Sequence, residues 1–251
     1  MSKDLPFNLY LAKQGIGEAT GVDVYGENQD VDIAAAEDIW DQGGDYVYTA
    51  AGGATHYISS SAADTQDVRI VLLSEDASGD WNLEDFEFTL VGTTKTAIVT
   101  PSGDDPVRIL KAENKGSTVL TGDVYIYEDD TVVAGVPQTA SKIRAKILIG
   151  AETTMMSVYT IPSGKSGYLR KADAMLTSAL NCKCFLSIYA REDGETFRRV
   201  KRLNLALTNL LWQYDWATPL VFPAKTDIKF RCDSTDTNNS LMGAGFELLI
   251  M

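Results

Sequence analysis

Apolar residues recurring at every second position, between turn-forming residues, limit this chain to strands. Phe86, Phe88 and Leu90 alternate with Glu87 and Thr89, and Ile143, Ala145, Ile147 and Ile149 alternate with Arg144, Lys146 and Leu148. Phe246, Leu248 and Ile250 close the chain in the same way. This is the period of a half-buried β-strand, whose successive side chains point to opposite faces. Further strands are expected at residues 68–73, 95–100, 107–113, 118–128, 154–161, 167–175, 184–191, 197–205, 211–216 and 227–232. Turn residues separate them, as at Ser78-Gly79-Asp80, Glu192-Asp193-Gly194 and Asn238-Asn239-Ser240,. Only residues 199–211 allow a competing reading as a helix longer than about three turns,. The fold class is all-β, an antiparallel sandwich or jelly roll built as one composite or two packed sandwiches.

Three segments are expected. Residues 1–45 lack sustained periodicity and are rich in Gly, Asp, Asn and Ala, so they read as an extended N-terminal arm with at most a short helix around 32–39. Residues 46–150 form an acidic sandwich, and residues 151–251 a second sandwich or jelly roll with basic strands. Charge supports the division. Residues 1–140 hold 7 Lys+Arg against 25 Asp+Glu, whereas residues 141–251 hold 15 against 10. The acidic part repels nucleic acid and anionic lipid, while the basic part can face an acidic protein, including the front half of another copy.

No run approaches the ~18 apolar residues of a membrane helix, and the first residues carry acids and amides where a signal peptide needs an apolar stretch,. No membrane partner and no export by that route are expected. Cys182, Cys184 and Cys232 are too few and odd in number for a disulfide framework and read as buried free thiols,. His56 is the only histidine, which argues against a His-rich metal site,.

Gly164-Lys165-Ser166 imitates the end of the phosphate-cradling signature GxxxxGK[ST]. Its first glycine is replaced by Tyr159, Pro162 removes an N–H donor, and a strand-like Gly167-Tyr168-Leu169 follows where a helix N-terminus is needed,. The tripeptide therefore reads as a tight turn, echoed at Pro223-Ala224-Lys225-Thr226, with both lysines at an exposed rim. No cofactor or metal is expected. Acid pairs such as Asp30/Asp32 and Asp129/Asp130 lack a full calcium loop, and no Ser/His/Asp or Cys/His arrangement marks an enzyme,.

Two stretches carry candidate contacts. In the basic run Phe197-Arg198-Arg199-Val200-Lys201-Arg202 neither strand face is cleanly apolar, so Arg198, Arg199, Lys201 and Arg202 suit an exposed edge or a subunit contact better than a polyanion,. Trp212, Tyr214 and Trp216 alternate on one face and suit core or interface, or a sugar-stacking platform,. Trp40 and the arm residues Phe7, Leu9, Tyr10 and Leu11 complete the candidate interface.

The blocks at residues 37–46, 159–169, 219–228 and 243–250 resemble, in order, those of virion structural proteins from tailed bacteriophages, many of marine origin. The resemblance spans residue 7 to the end, and departs from the family's pattern at the cysteine pair and at residues 203–211. It implies a non-enzymatic part of the particle, located in the virion and assembled in the host cytoplasm. The expected role is a capsid decoration or cement subunit. Its partners would be the major capsid protein or other virion proteins and its own copies, a trimer being favoured. A tail or head-to-tail connector component is the alternative, and a carbohydrate-binding module the alternative of another class.

Overall fold

The structure is a computed structural model that describes residues 19–251, except for the side chains of residues 178–181 and 207–210. The strands, in chain order, are β1 (Thr20–Val31), β2 (Glu37–Asp38), β3 (His56–Ser60), β4 (Asp67–Glu75), β5 (Trp81–Thr89), β6 (Thr96–Ala97), β7 (Asp105–Asn114) and β8 (Val124–Glu128). They continue as β9 (Val132–Val133), β10 (Val136–Pro137), β11 (Ile143–Ile147), β12 (Val158–Thr160), β13 (Gly167–Arg191), β14 (Arg198–Phe222), β15 (Asp227–Thr235) and β16 (Ser240–Ile250). All pairings among them are antiparallel, and one 3-10 turn at Ala140–Lys142 is the only helical element among the described residues. The all-β expectation holds. The helical alternative for residues 199–211 does not, because the stretch lies within strand β14, which pairs antiparallel with β13.

In the front half, the sheet β11-β8-β3-β6 and the sheet β5-β4-β7 enclose one apolar cluster. Val68, Ile70 and Leu72 of β4 meet Ile58, Val124 and Ile126 of the other sheet there. Alternation fixes this, since each buried residue is two positions from the next.

The back half is a ribbon folded over on itself. β13 pairs with β14 along one side, while β15 and β16 line the other, running from Arg191↔Asp227 to Gly167↔Ile250. Phe230 lies opposite Ile188 and Phe246 opposite Ala172, positions that a straight strand would separate by about 50 Å at ~3.3 Å per residue,. Their rings are 6.2 Å apart. The ribbon therefore bends around residues 178–181 and packs its two limbs face to face. β1 widens one limb by pairing with β16, and β12 and β2 widen the other by pairing with β15. Met242, Ala244, Phe246, Leu248 and Ile250 of β16 all point into the enclosed cluster, as do the three free cysteines.

Two expectations for the first 45 residues need correction. Residues 20–31 are a full edge strand, and residues 32–39 carry the short strand β2 in place of a helix. Gly21, Gly26 and Asn28 are poor strand formers, so local preference conceals β1, whose stability comes from a partner more than 200 residues away,. Gly26 also has a steric task. A Cβ there would lie 2.1 Å from the Ser157 backbone nitrogen, so only glycine lets β1 pass this close,. Phe7, Leu9, Tyr10 and Leu11 lie outside the described residues.

Candidate assembly interface

A buried ionic seam joins the two halves. Asp227, 1% exposed, accepts hydrogen bonds from Arg108 Nε at 2.8 Å and Nη2 at 3.1 Å, Arg191 Nε at 2.9 Å and Thr160 Oγ1 at 2.6 Å. Arg108 comes from β7 and also donates to the Thr49 carbonyl at 2.8 Å. Beside it, Asp38 accepts from Lys229 Nζ at 2.6 Å and from the Tyr46 N–H at 2.7 Å. Burial raises the Asp38 carboxyl and lowers the Lys229 ammonium, against the attraction between them. For Arg108 the Asp227 carboxylate outweighs burial and holds the guanidinium above its ordinary value. No expectation singled out these groups, because acids and bases spaced 36 to 191 residues apart leave no local pattern.

The turn at Gly164-Lys165-Ser166 takes its place at this seam. Gly164 has φ +68°, the left-handed region that favours glycine, and β13 follows in place of a helix,. The adjacent Ser163 exchanges two bonds with Trp81: its Oγ accepts from the Trp81 N–H at 2.7 Å and its N–H donates to the Trp81 carbonyl at 3.0 Å. The echoing turn is less free than expected. Lys225 is half-buried, donates to the Gly79 carbonyl at 2.5 Å and lies 5.0 Å from the Trp81 ring centre, so it docks on the front half and leaves the rim. Lys165 is exposed. Lys165→Ala should change unfolding free energy by less than about 0.5 kcal/mol in urea titration.

Two buried titrating groups pull stability in opposite directions. Burial, with Glu27 and Asp123 nearby, pushes the Asp41 carboxyl up to about 7 from 3.8, against its bond from the Met155 N–H and the charge of Lys146. Burial pushes His56 down to about 4 from 6.5, while its Nδ1 lies 2.7 Å from the Ala54 carbonyl and Nε2 3.3 Å from Thr49 Oγ1. Native Asp41 keeps its proton where the unfolded chain has lost it, so its contribution falls as pH rises from about 4 to about 7,. Native His56 stays neutral where the unfolded chain is protonated, so its contribution falls as pH drops from 6.5 to about 4,. Asp41→Asn should therefore stabilise at pH 8 and not at pH 4, and should leave stability falling more steeply on acidification than in the parent. Urea unfolding at pH 4, 6 and 8 measures both.

Of the expected contact residues that are described, all but Trp40 lie on β14. Trp40 is 1% exposed, packs edge-on against Tyr46 at 4.9 Å and donates to the Gly44 carbonyl at 3.2 Å, so it belongs to the core and leaves the interface set. β14 is an edge strand of 25 residues, paired with β13 on one side and with no strand on the other among the described residues. The register slips between Ile188↔Lys201 and Tyr189↔Arg199, leaving Val200 unpaired. Such a bulge reverses parity. Lys201 then faces inward with its ammonium 4.2 Å from the Tyr214 ring centre, across the fold of the ribbon. Arg198 and Arg199 are exposed, Arg199 lies 3.5 Å from Asp233, and Arg202 covers the Phe185 ring at 3.9 Å.

Trp212, Tyr214 and Trp216 share one face as expected, with Trp212 and Tyr214 stacked at 5.9 Å and Tyr214 meeting Trp216 edge-on at 4.8 Å. Trp212 and Trp216 pack on the back-half core, while Tyr214 between them is 37% exposed. Leu211, 73% exposed, and Val221, 59% exposed, stand outward on the same strand. The result is a long, cationic and partly apolar free edge. Among the described residues no group of three or more His, Cys, Asp or Glu side chains can hold a metal ion. No helix among them is long and apolar enough to cross a membrane.

These features define an all-β protein whose β14 edge is open among the described residues. No family model matches the chain, and no curated protein matches it. Among solved structures it aligns with a chain of the infectious bursal disease virus Gt strain at 13% identity, covering 93% of this chain and 72% of that one, with a TM-score of 0.24. The Gx strain of that virus aligns at 12% identity over 93% and 72%, with a TM-score of 0.25. Its VP2 subviral particle aligns at 9% over 98% and 77%, with a TM-score of 0.21. Scores this low establish no shared fold, and the architecture stands on the chain's own strand pairings.

Proposed function

We propose that this chain is a structural subunit of a virus particle, a decoration or cement protein that binds the major capsid protein and its own copies on the outside of a head. The observation that carries this reading is β14, an edge strand of 25 residues with no partner strand on one side among the described residues and bearing Arg198, Arg199 and Arg202. A free edge of this length offers a row of N–H and C=O groups that monomeric proteins normally cover. Its positive charge suits an acidic partner surface and makes attachment sensitive to salt. The sequence resemblance to tailed-phage virion proteins supplies the setting. The two halves act in it as separate sandwiches locked at the Arg108–Asp227 seam, which presents β14 rigidly.

Rebinding to particles stripped of this protein tests the reading. At low ionic strength the parent chain should return at high copy number, and Arg198→Glu with Arg199→Glu and Arg202→Glu should lower retention at least ten-fold while leaving the circular dichroism spectrum unchanged. Unchanged retention of that variant would sink the proposal. A ring of about six or twelve copies in place of many indicates the connector alternative.

A further inference from the structure

Between β1 and the outward face of the β5-β4-β7 sheet lies a cleft of about 500 Å³, lined by Val22, Val71, Leu83, Leu110 and Tyr159 among others. A second hollow of about 300 Å³ shares Thr20, Val22, Leu83 and Tyr159 with it. Leu83 is 55% exposed, a large apolar group left half in water. The cleft also borders an open sheet edge. β1 pairs with β16 on one side, and on the other its first backbone bond is from the Glu27 N–H to the Met155 carbonyl at 3.4 Å. Its outer backbone groups over residues 20–25 thus have no strand partner among the described residues.

The chain preceding Thr20 has a matching pattern. Leu5, Phe7, Leu9 and Leu11 fall at every second position, so an extended backbone would place these four on one face, in a stretch too short to give sustained periodicity,. Pro6 falls near the start of this segment, where a missing N–H is tolerated,. We propose that residues 5–11 of a second copy of this chain lie along the open edge of β1 and place Leu5, Phe7, Leu9 and Leu11 in the cleft.

Three observations favour this occupant. The open edge of β1 and the alternating segment are of similar length, six residues against seven. Main-chain bonds along the edge then supply affinity, and the alternate apolar side chains supply specificity. The stretch from Lys13 to Ala19, with Gly15 and Gly17, is longer than the two to five residues that usually close a hairpin, so it is better suited to reaching a neighbour than to folding straight back,. Fully extended, the eight residues 12–19 that tether the segment to β1 span up to about 28 Å, enough to reach a subunit packed alongside,. A segment exchanged in this way between identical copies closes an oligomer by symmetry. The inference deepens the preceding proposal and rests on its reading of the chain as an oligomeric subunit.

The test uses the full chain carrying Leu9→Cys and Leu83→Cys, oxidised and run on a non-reducing gel. The three native cysteines are buried, so the parent chain is a silent control. Disulfide-linked dimers or larger species that need both new cysteines are the expected result. A link formed within one chain would show that the segment covers its own cleft, and would overturn the proposal. Deleting residues 2–12 should convert the oligomer to monomer in light scattering with the circular dichroism spectrum preserved, and an unchanged mass overturns it likewise. Particle rebinding separates the two readings: a chain that links between copies yet never binds particles keeps this contact and removes the decoration role.

Discussion

Replacing Asp227 by Ala should lower the unfolding free energy by about 3–5 kcal/mol, the range for removing one partner of a buried ion pair. The carboxylate is 1% exposed and accepts from two guanidiniums and a hydroxyl. Without it Arg108 and Arg191 face each other with no compensating charge, and Thr160 loses its acceptor. Arg108 suffers more, because its side chain is 6% exposed whereas that of Arg191 is 27% exposed and can turn toward water. Replacing both partners, as Asp227→Leu with Arg108→Met, should cost less than the sum of the single changes, since no charge is then stranded. Urea titration of the four proteins gives the coupling directly. A loss below about 1 kcal/mol for Asp227→Ala would mean that the halves are not locked at this seam.

Trp40→Ala should cost about 3–5 kcal/mol, the usual range for truncating a buried aromatic side chain. The indole fills the front-half core against Tyr46, and the residue 40 backbone bridges Met156, so the cavity sits where β2 and the chain leading into β12 converge. The outcome separates two roles for this residue. An interface tryptophan would leave the monomer's stability almost unchanged and weaken assembly, whereas a core tryptophan lowers stability and leaves the assembly of the folded fraction intact. Thermal unfolding measured alongside light scattering distinguishes them.

Much of the fold can be read from alternation alone, because a strand buried on one face declares itself every second residue. β11 and β16 are plain examples, and Pro162 with Gly164 marks a turn on local chemistry. Other features depend on contacts that no local window contains. β1 carries Gly21, Gly26 and Asn28 and is stabilised by β16 at the far end of the chain. The inward position of Lys201 depends on one unpaired residue, Val200, which reverses parity halfway along a basic run. Lys225 resembles a rim lysine until its partner Trp81, over 140 residues earlier, is in place. Of the candidate contacts, Arg198, Arg199 and Arg202 are legible as exposed because neither face of residues 197–202 is apolar. Trp40 was not, because an isolated tryptophan among acids and glycines gives no indication of which side is covered.

The most direct test of the central claim is an image of the intact particle with this protein located in it. The account predicts density for many copies on the outer surface of the head, with β14 at the contact to the shell or to a neighbouring copy. Density confined to the tail, or particles that contain no copy of the chain, would contradict it.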